Sequence, residues 1–88
     1  MANHKSALKQ HRESVRRRLR NRAQRSRMRT AVKRYRRAVD LGDVATARGL
    51  LPATLAIVDR TARHGAIHDN AAARTKSRLA RALAKLAG

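Results

Sequence analysis

The chain has no cysteine, no tryptophan and no phenylalanine. Without Cys there is no disulfide and no thiolate metal site to supplement a small core. Such usage suits a reducing cytoplasm. Tyr35 is the single aromatic residue, which leaves no platform on which bases could stack. Acidic residues number five, namely Glu13, Asp40, Asp43, Asp59 and Asp69. They are scattered, no nucleophile stands beside an evident base, and no Gly-rich phosphate loop occurs. Catalysis is therefore not expected. The most apolar window, Leu50 to Val58, contains Pro52 and Thr54 and is far too short to span a bilayer. No apolar segment follows the basic N-terminus, so no secretory signal is expected.

Cations are what the chain has. Its 88 residues carry 23 Lys and Arg, for a net charge of +18. Residues 1–37 hold fifteen of them against Glu13 alone, a net of +14. Residues 38–59 come to −2 and residues 60–88 to +6. A local surplus of this size has no counterpart within the chain and calls for an external polyanion, of which nucleic acid is the first candidate. Arg greatly outnumbers Lys, which suits forked binding of phosphate oxygens. The hydrophobic fraction of 42% overstates the core, because eighteen of those residues are Ala. A single thin-cored domain is expected.

Ala, Leu, Arg and Lys dominate, while β-branched residues are few, so the composition reads as all-α. Gly42 followed by Asp43 looks like a helix stop and the next N-cap. Gly65 is a second stop, with Asp69 or Asn70 as the following cap. Three helices are expected, over about Ser6–Leu41, Val44–His64 and Ala71–Ala87. Their short connections favour an antiparallel, up-down-up three-helix bundle with an extended, Arg-rich first helix. At 100° per residue, Leu8, Val15, Leu19 and Ala23 share one side of the first helix. Met28, Ala31, Val32, Tyr35, Ala38 and Val39 share nearly the opposite side. About Thr30–Val39 is therefore expected to dock, with residues 1–29 as a basic arm and 30–88 as the bundle. In the second helix Val44, Ala47, Leu51, Leu55, Val58 and Ala62 stay in phase across Pro52, which favours one helix over two. In the third, Leu79, Leu83 and Leu86 lie with Ala72, opposite a ridge of Arg74, Arg78, Arg81 and Lys85.

The Arg-rich stretch is the leading candidate for nucleic-acid contact: Lys9, Arg12, Arg16, Arg17, Arg20, Arg22, Arg25, Arg27 and Arg29, continuing to Lys33 and Arg36. Solvated helix faces normally mix signs, and this one has Glu13 alone. The third-helix ridge offers a second set. His64 and His68 are four apart, but Gly65 separates them and no acid or thiolate completes a site, so no metal and no cofactor is expected. Asp59 and Arg60 read as a surface pair.

Several stretches resemble one family, the bacterial small-subunit ribosomal proteins numbered twenty. They are Met1-Ala2-Asn3 with Lys5-Ser6-Ala7, Arg20-Asn21, Ser26-Arg27-Met28-Arg29-Thr30 with Lys33, Gly42-Asp43 and Ile57-Val58-Asp59-Arg60. The most specific runs from Gly65 to Arg74, with Lys76 and Leu79 after it. The resemblance implies a three-helix bundle with a long first helix that binds small-subunit ribosomal RNA directly and helps it fold. Carried over by position, Asn3, Lys5, Ser6, Arg20, Asn21, Ser26, Arg29, Lys33, His68, Asn70, Arg74 and Lys76 would lie at the RNA. The chain departs from the family at His4, where an aliphatic residue is usual, at Asp69, where Lys is usual, and at Pro52. The expected function is structural, with ribosomal RNA and neighbouring small-subunit components as partners in the cytoplasm. No membrane, small-molecule substrate or homo-oligomer is expected. The alternative is a nucleoid-type protein that compacts DNA. A membrane-active cationic helix is disfavoured, because the Arg-rich segment lacks a broad apolar face and Trp or Phe anchors.

Overall fold

A computed structural model describes the backbone from Ala2 and side chains from Lys5 to the last residue. It consists of three helices, α1 (Ala2–Asp40), α2 (Val44–Arg63) and α3 (Asp69–Ala87). No strand occurs among the described residues. Arg25 meets Ala66 and Tyr35 meets Leu79, so α1 and α3 run the same way with α2 reversed between them. The molecule measures 66 × 19 × 15 Å with a radius of gyration of 17.6 Å; a compact chain of this length would have about 12 Å. Helix α1 causes the excess. Its 39 residues reach about 58 Å at 1.5 Å per residue, roughly twice the length of either partner.

Both turns are built on glycine. Gly42 and Gly65 have φ of 73° and 76°, a region that costs other residues about 1–2 kcal/mol. The Gly42 and Asp43 N–H groups donate to the Val39 and Ala38 carbonyls, and those of Gly65 and Ala66 to Ala62 and Thr61. Helices α1 and α2 thus each end in a Schellman motif that occupies their last carbonyls. Asp43 caps α2 as expected: its Oδ1 accepts from the Thr46 N–H at 3.1 Å and its Oδ2 from the Thr46 hydroxyl at 2.6 Å. These two bonds hold the Asp43 carboxyl below its ordinary pKa. The start of α3 differs from expectation. His68, rather than Asp69 or Asn70, is the N-cap, and its Nδ1 accepts from the Asn70 N–H at 3.0 Å. Asp69 begins the helix instead, where its charge suits the positive end of the helix dipole.

The core joins Tyr35 and Ala38 of α1, Ala47 and Val58 of α2, and Ala72 and Leu79 of α3. Three of these six are Ala, so the packing is close but buries little area. Tyr35 is its centre. The ring is fully buried, and the hydroxyl donates to the Leu79 carbonyl at 2.5 Å. Burial pushes the phenol above its ordinary pKa of 10.0, opposed in part by the Leu83 backbone. Helix α2 passes Pro52 without interruption. It lies between two neighbours, so it buries a wider face than its apolar stripe predicted. Thr54 and Thr61 are both buried. Each hydroxyl donates to the carbonyl four residues back, Leu50 and Ile57, which lets a polar side chain enter an apolar interior at low cost.

Candidate nucleic-acid interface

Contact between α1 and the bundle begins earlier than Thr30. Met28 packs on the core, and Asn21, Gln24 and Arg25 are half-buried. Positions 21, 24, 28, 31, 32, 35 and 38 fall on one side of a helix at steps of three and four. Toward the N-terminus that side changes from apolar to amide. A search for apolar periodicity therefore ends it too soon. Arg25 flanks it, and its guanidinium donates to the Ala66 carbonyl in the α2–α3 turn at 3.3 Å. Of the nominated cations it is tied to the protein's own backbone.

The opposite side of α1 is bare. Leu8 and Leu19 are 47% and 59% exposed and Val15 is half-exposed. Lys5, Ser6, Lys9, Arg12, Arg16, Arg17, Arg20, Arg22, Ser26, Arg27, Arg29, Lys33 and Arg36 are all exposed. So are Arg18, Arg34 and Arg37, which had not been nominated and belong to the same charged surface. The Asn3 side chain lies outside the described residues. On α3 the ridge of Arg74, Arg78, Arg81 and Lys85 is exposed, as are His68 and Asn70. Lys76 is engaged instead. Its Nζ lies 2.6 Å from Asp59 Oδ1 in the only ion pair among the described residues. Asp59 was expected to pair with Arg60; across the α2–α3 contact it finds Lys76. Both partners are more than a third exposed, so the pair adds little stability.

Two of the hollows that bring nominated residues together combine them with polar residues of the bundle. One, of about 360 Å³, lies between Arg36 of α1 and Arg78 of α3 and includes Asp40. The other, of about 260 Å³, is lined by Arg17, Arg20, Asn21 and Gln24 of α1 and by His64 at the end of α2. Gln24 and His64 join Arg18, Arg34 and Arg37 as interface candidates that sequence reasoning missed. Among the described residues no group of three His, Asp or Glu side chains is placed to hold a metal ion, and no helix is long and apolar enough to cross a membrane.

The model of the Ribosomal protein S20 family matches residues 2–84. The chain belongs to that family. Relatives agree over nearly their whole length. The small ribosomal subunit protein bS20 of Mycolicibacterium smegmatis is 51% identical over 86 residues, 98% of this chain and 100% of that protein. Its namesake in Desulfovibrio desulfuricans is 49% identical over 94% of this chain and 93% of its own. That of Desulfatibacillum aliphaticivorans is 43% identical over the full length of both. The S20 family membership and the three-helix architecture agree with what the stretches from Met1 to Arg74 implied.

Proposed function

We propose that this chain is a structural constituent of the bacterial small ribosomal subunit, not an enzyme, and that it binds small-subunit ribosomal RNA through phosphate contacts. One observation carries the reading. Residues 1–37 have a net charge of +14, and their described cations have no carboxylate partner, the single ion pair lying elsewhere. RNA phosphates supply the missing anions. Residues 1–29 act as a basic arm laid in a crevice between RNA helices, with the stretch from Asn21 to Arg29 already resting on the bundle formed by residues 30–88. On the arm and its continuation, Asn3, Lys5, Ser6, Lys9, Arg12, Arg16, Arg17, Arg20, Asn21, Arg22, Ser26, Arg27, Arg29, Lys33 and Arg36 meet phosphate or sugar. Arg25 braces the turn and presents its remaining donors there. On the bundle His68, Asn70, Arg74, Lys76, Arg78 and Arg81 meet a second RNA segment. Drawing two backbones together costs phosphate repulsion, which the protein's charge offsets during assembly. The chain works in the cytoplasm on the ribosome, beside other small-subunit components.

A competition assay tests this. Small-subunit ribosomal RNA is expected to displace a labelled RNA fragment far better than duplex DNA does. Arg20→Ala or Arg29→Ala weakens the complex, and Arg60→Ala has a smaller effect. Equal competition by duplex DNA would favour the DNA-compacting alternative.

A further inference from the structure

We propose that the hollow between α1 and the end of α2 seats one RNA backbone phosphate, with His64 as the contribution of the bundle. The proposal rests on the ribosomal RNA reading and sharpens it to a site. Arg17, Arg20, Asn21 and Gln24 supply one wall and His64 the other. Every lining side chain offers an N–H donor: two guanidinium groups, two carboxamides and an imidazole. No carboxylate lines the space, and neither arginine takes part in an ion pair. That donor set fits a tetrahedral oxyanion, which two guanidinium groups can grip from adjacent edges.

Other hollows are less suited. The one between Arg36 and Arg78 contains Asp40. A third, against Lys76, contains Asp59 and Asp69. A fourth, beside Arg27 and Arg34, has only Ile57 as its bundle wall, which donates nothing. A helix C-terminus ordinarily repels anions. Here the carbonyls of Arg60, Thr61 and Ala62 are already occupied by the N–H groups of His64, Ala66 and Gly65. The Arg25–Ala66 bond ties α1 to the adjoining turn, so the two walls are held together before RNA arrives. A phosphate seated here touches arm and bundle at once. It fixes where the RNA strand crosses α1 and hence the register of the whole arm.

The test measures binding of small-subunit ribosomal RNA by wild type, His64→Ala, His64→Lys, Arg17→Gln, Arg20→Gln and the Arg17/Arg20 double variant. The His64 side chain is exposed and its cap bonds use the backbone, so far-UV circular dichroism should be unchanged. His64→Ala is expected to weaken binding by about tenfold to a hundredfold, the loss of one hydrogen bond to a charged group, and His64→Lys to retain it. Because the arginines share one phosphate, the double variant should reduce the salt slope by about 0.7–0.9, one phosphate rather than two. Wild-type affinity in His64→Ala, or a slope loss twice that size, overturns the proposal while leaving ribosomal RNA binding intact. Failure of the wild type itself to bind removes both.

Discussion

Replacing Tyr35 with Phe removes a single oxygen from the centre of the molecule. The ring stays buried and fills the same space, so no cavity opens. What is lost is the 2.5 Å bond from the hydroxyl to the Leu79 carbonyl, the polar link between α1 and α3 inside the core. A buried neutral hydrogen bond is worth about 0.5–1.5 kcal/mol net. For a domain of this size, 1 kcal/mol moves Tm by about 4–8 °C, so a fall of about 2–12 °C is expected in thermal unfolding followed at 222 nm. A second signature is pH-dependent. Burial holds the phenol above 10.0, so above that pH the unfolded chain releases the proton first. The Tyr35 contribution is complete below pH 10 and is lost as pH rises toward the folded value. Tyr35→Phe should therefore lose less stability than wild type in that window. Equal Tm values, with parallel curves above pH 10, would refute the assigned bond.

Gly65→Ala should destabilise by about 1–2 kcal/mol through backbone strain alone, since a Cβ there meets nothing within 4 Å at φ +76°. Gly49→Ala, equally open but helical, should stabilise by up to about 1 kcal/mol. Chemical denaturation of the two variants separates the cases, and equal shifts would contradict the Schellman ending of α2. Pro52→Ala should restore a donor for the Arg48 carbonyl and raise the unfolding free energy by as much as about 3 kcal/mol. A decrease would show that Pro52 is needed for the shape of α2. Asp43→Ala should remove a pH dependence. The depressed carboxyl pKa stabilises above the unfolded value of 3.8, and the gain is lost as pH falls through the folded value. Urea midpoints between pH 6 and pH 2 should fall less in the variant than in the wild type.

Much of the fold was legible because its signals are local. Gly42-Asp43 and Gly65 mark turns whose backbone geometry needs glycine, and both have positive φ. The stripes through Tyr35, Val58 and Leu79 identify core residues of each helix. The misses come from tertiary context. Thr54 and Thr61 read as polar, yet their hydroxyls bond within the helix and both residues are buried. His68 was passed over because Asp and Asn are the stronger caps, although an imidazole Nδ1 can accept the same bond. Asp59 pairs with Lys76 because the α2–α3 packing brings them together, which its neighbour Arg60 does not reveal. The inward amide face at Asn21 and Gln24 has no apolar periodicity, so the hollow it forms with His64 was invisible until the helices were in place.

The central claim is that the unbalanced cations are neutralised by RNA phosphates. It is tested most directly by the affinity for small-subunit ribosomal RNA as a function of salt. With arm and ridge both engaged, the account predicts that log K falls with log salt at a slope of about −4 or steeper, six or more phosphates at about 0.7–0.9 each. A slope near zero would contradict it.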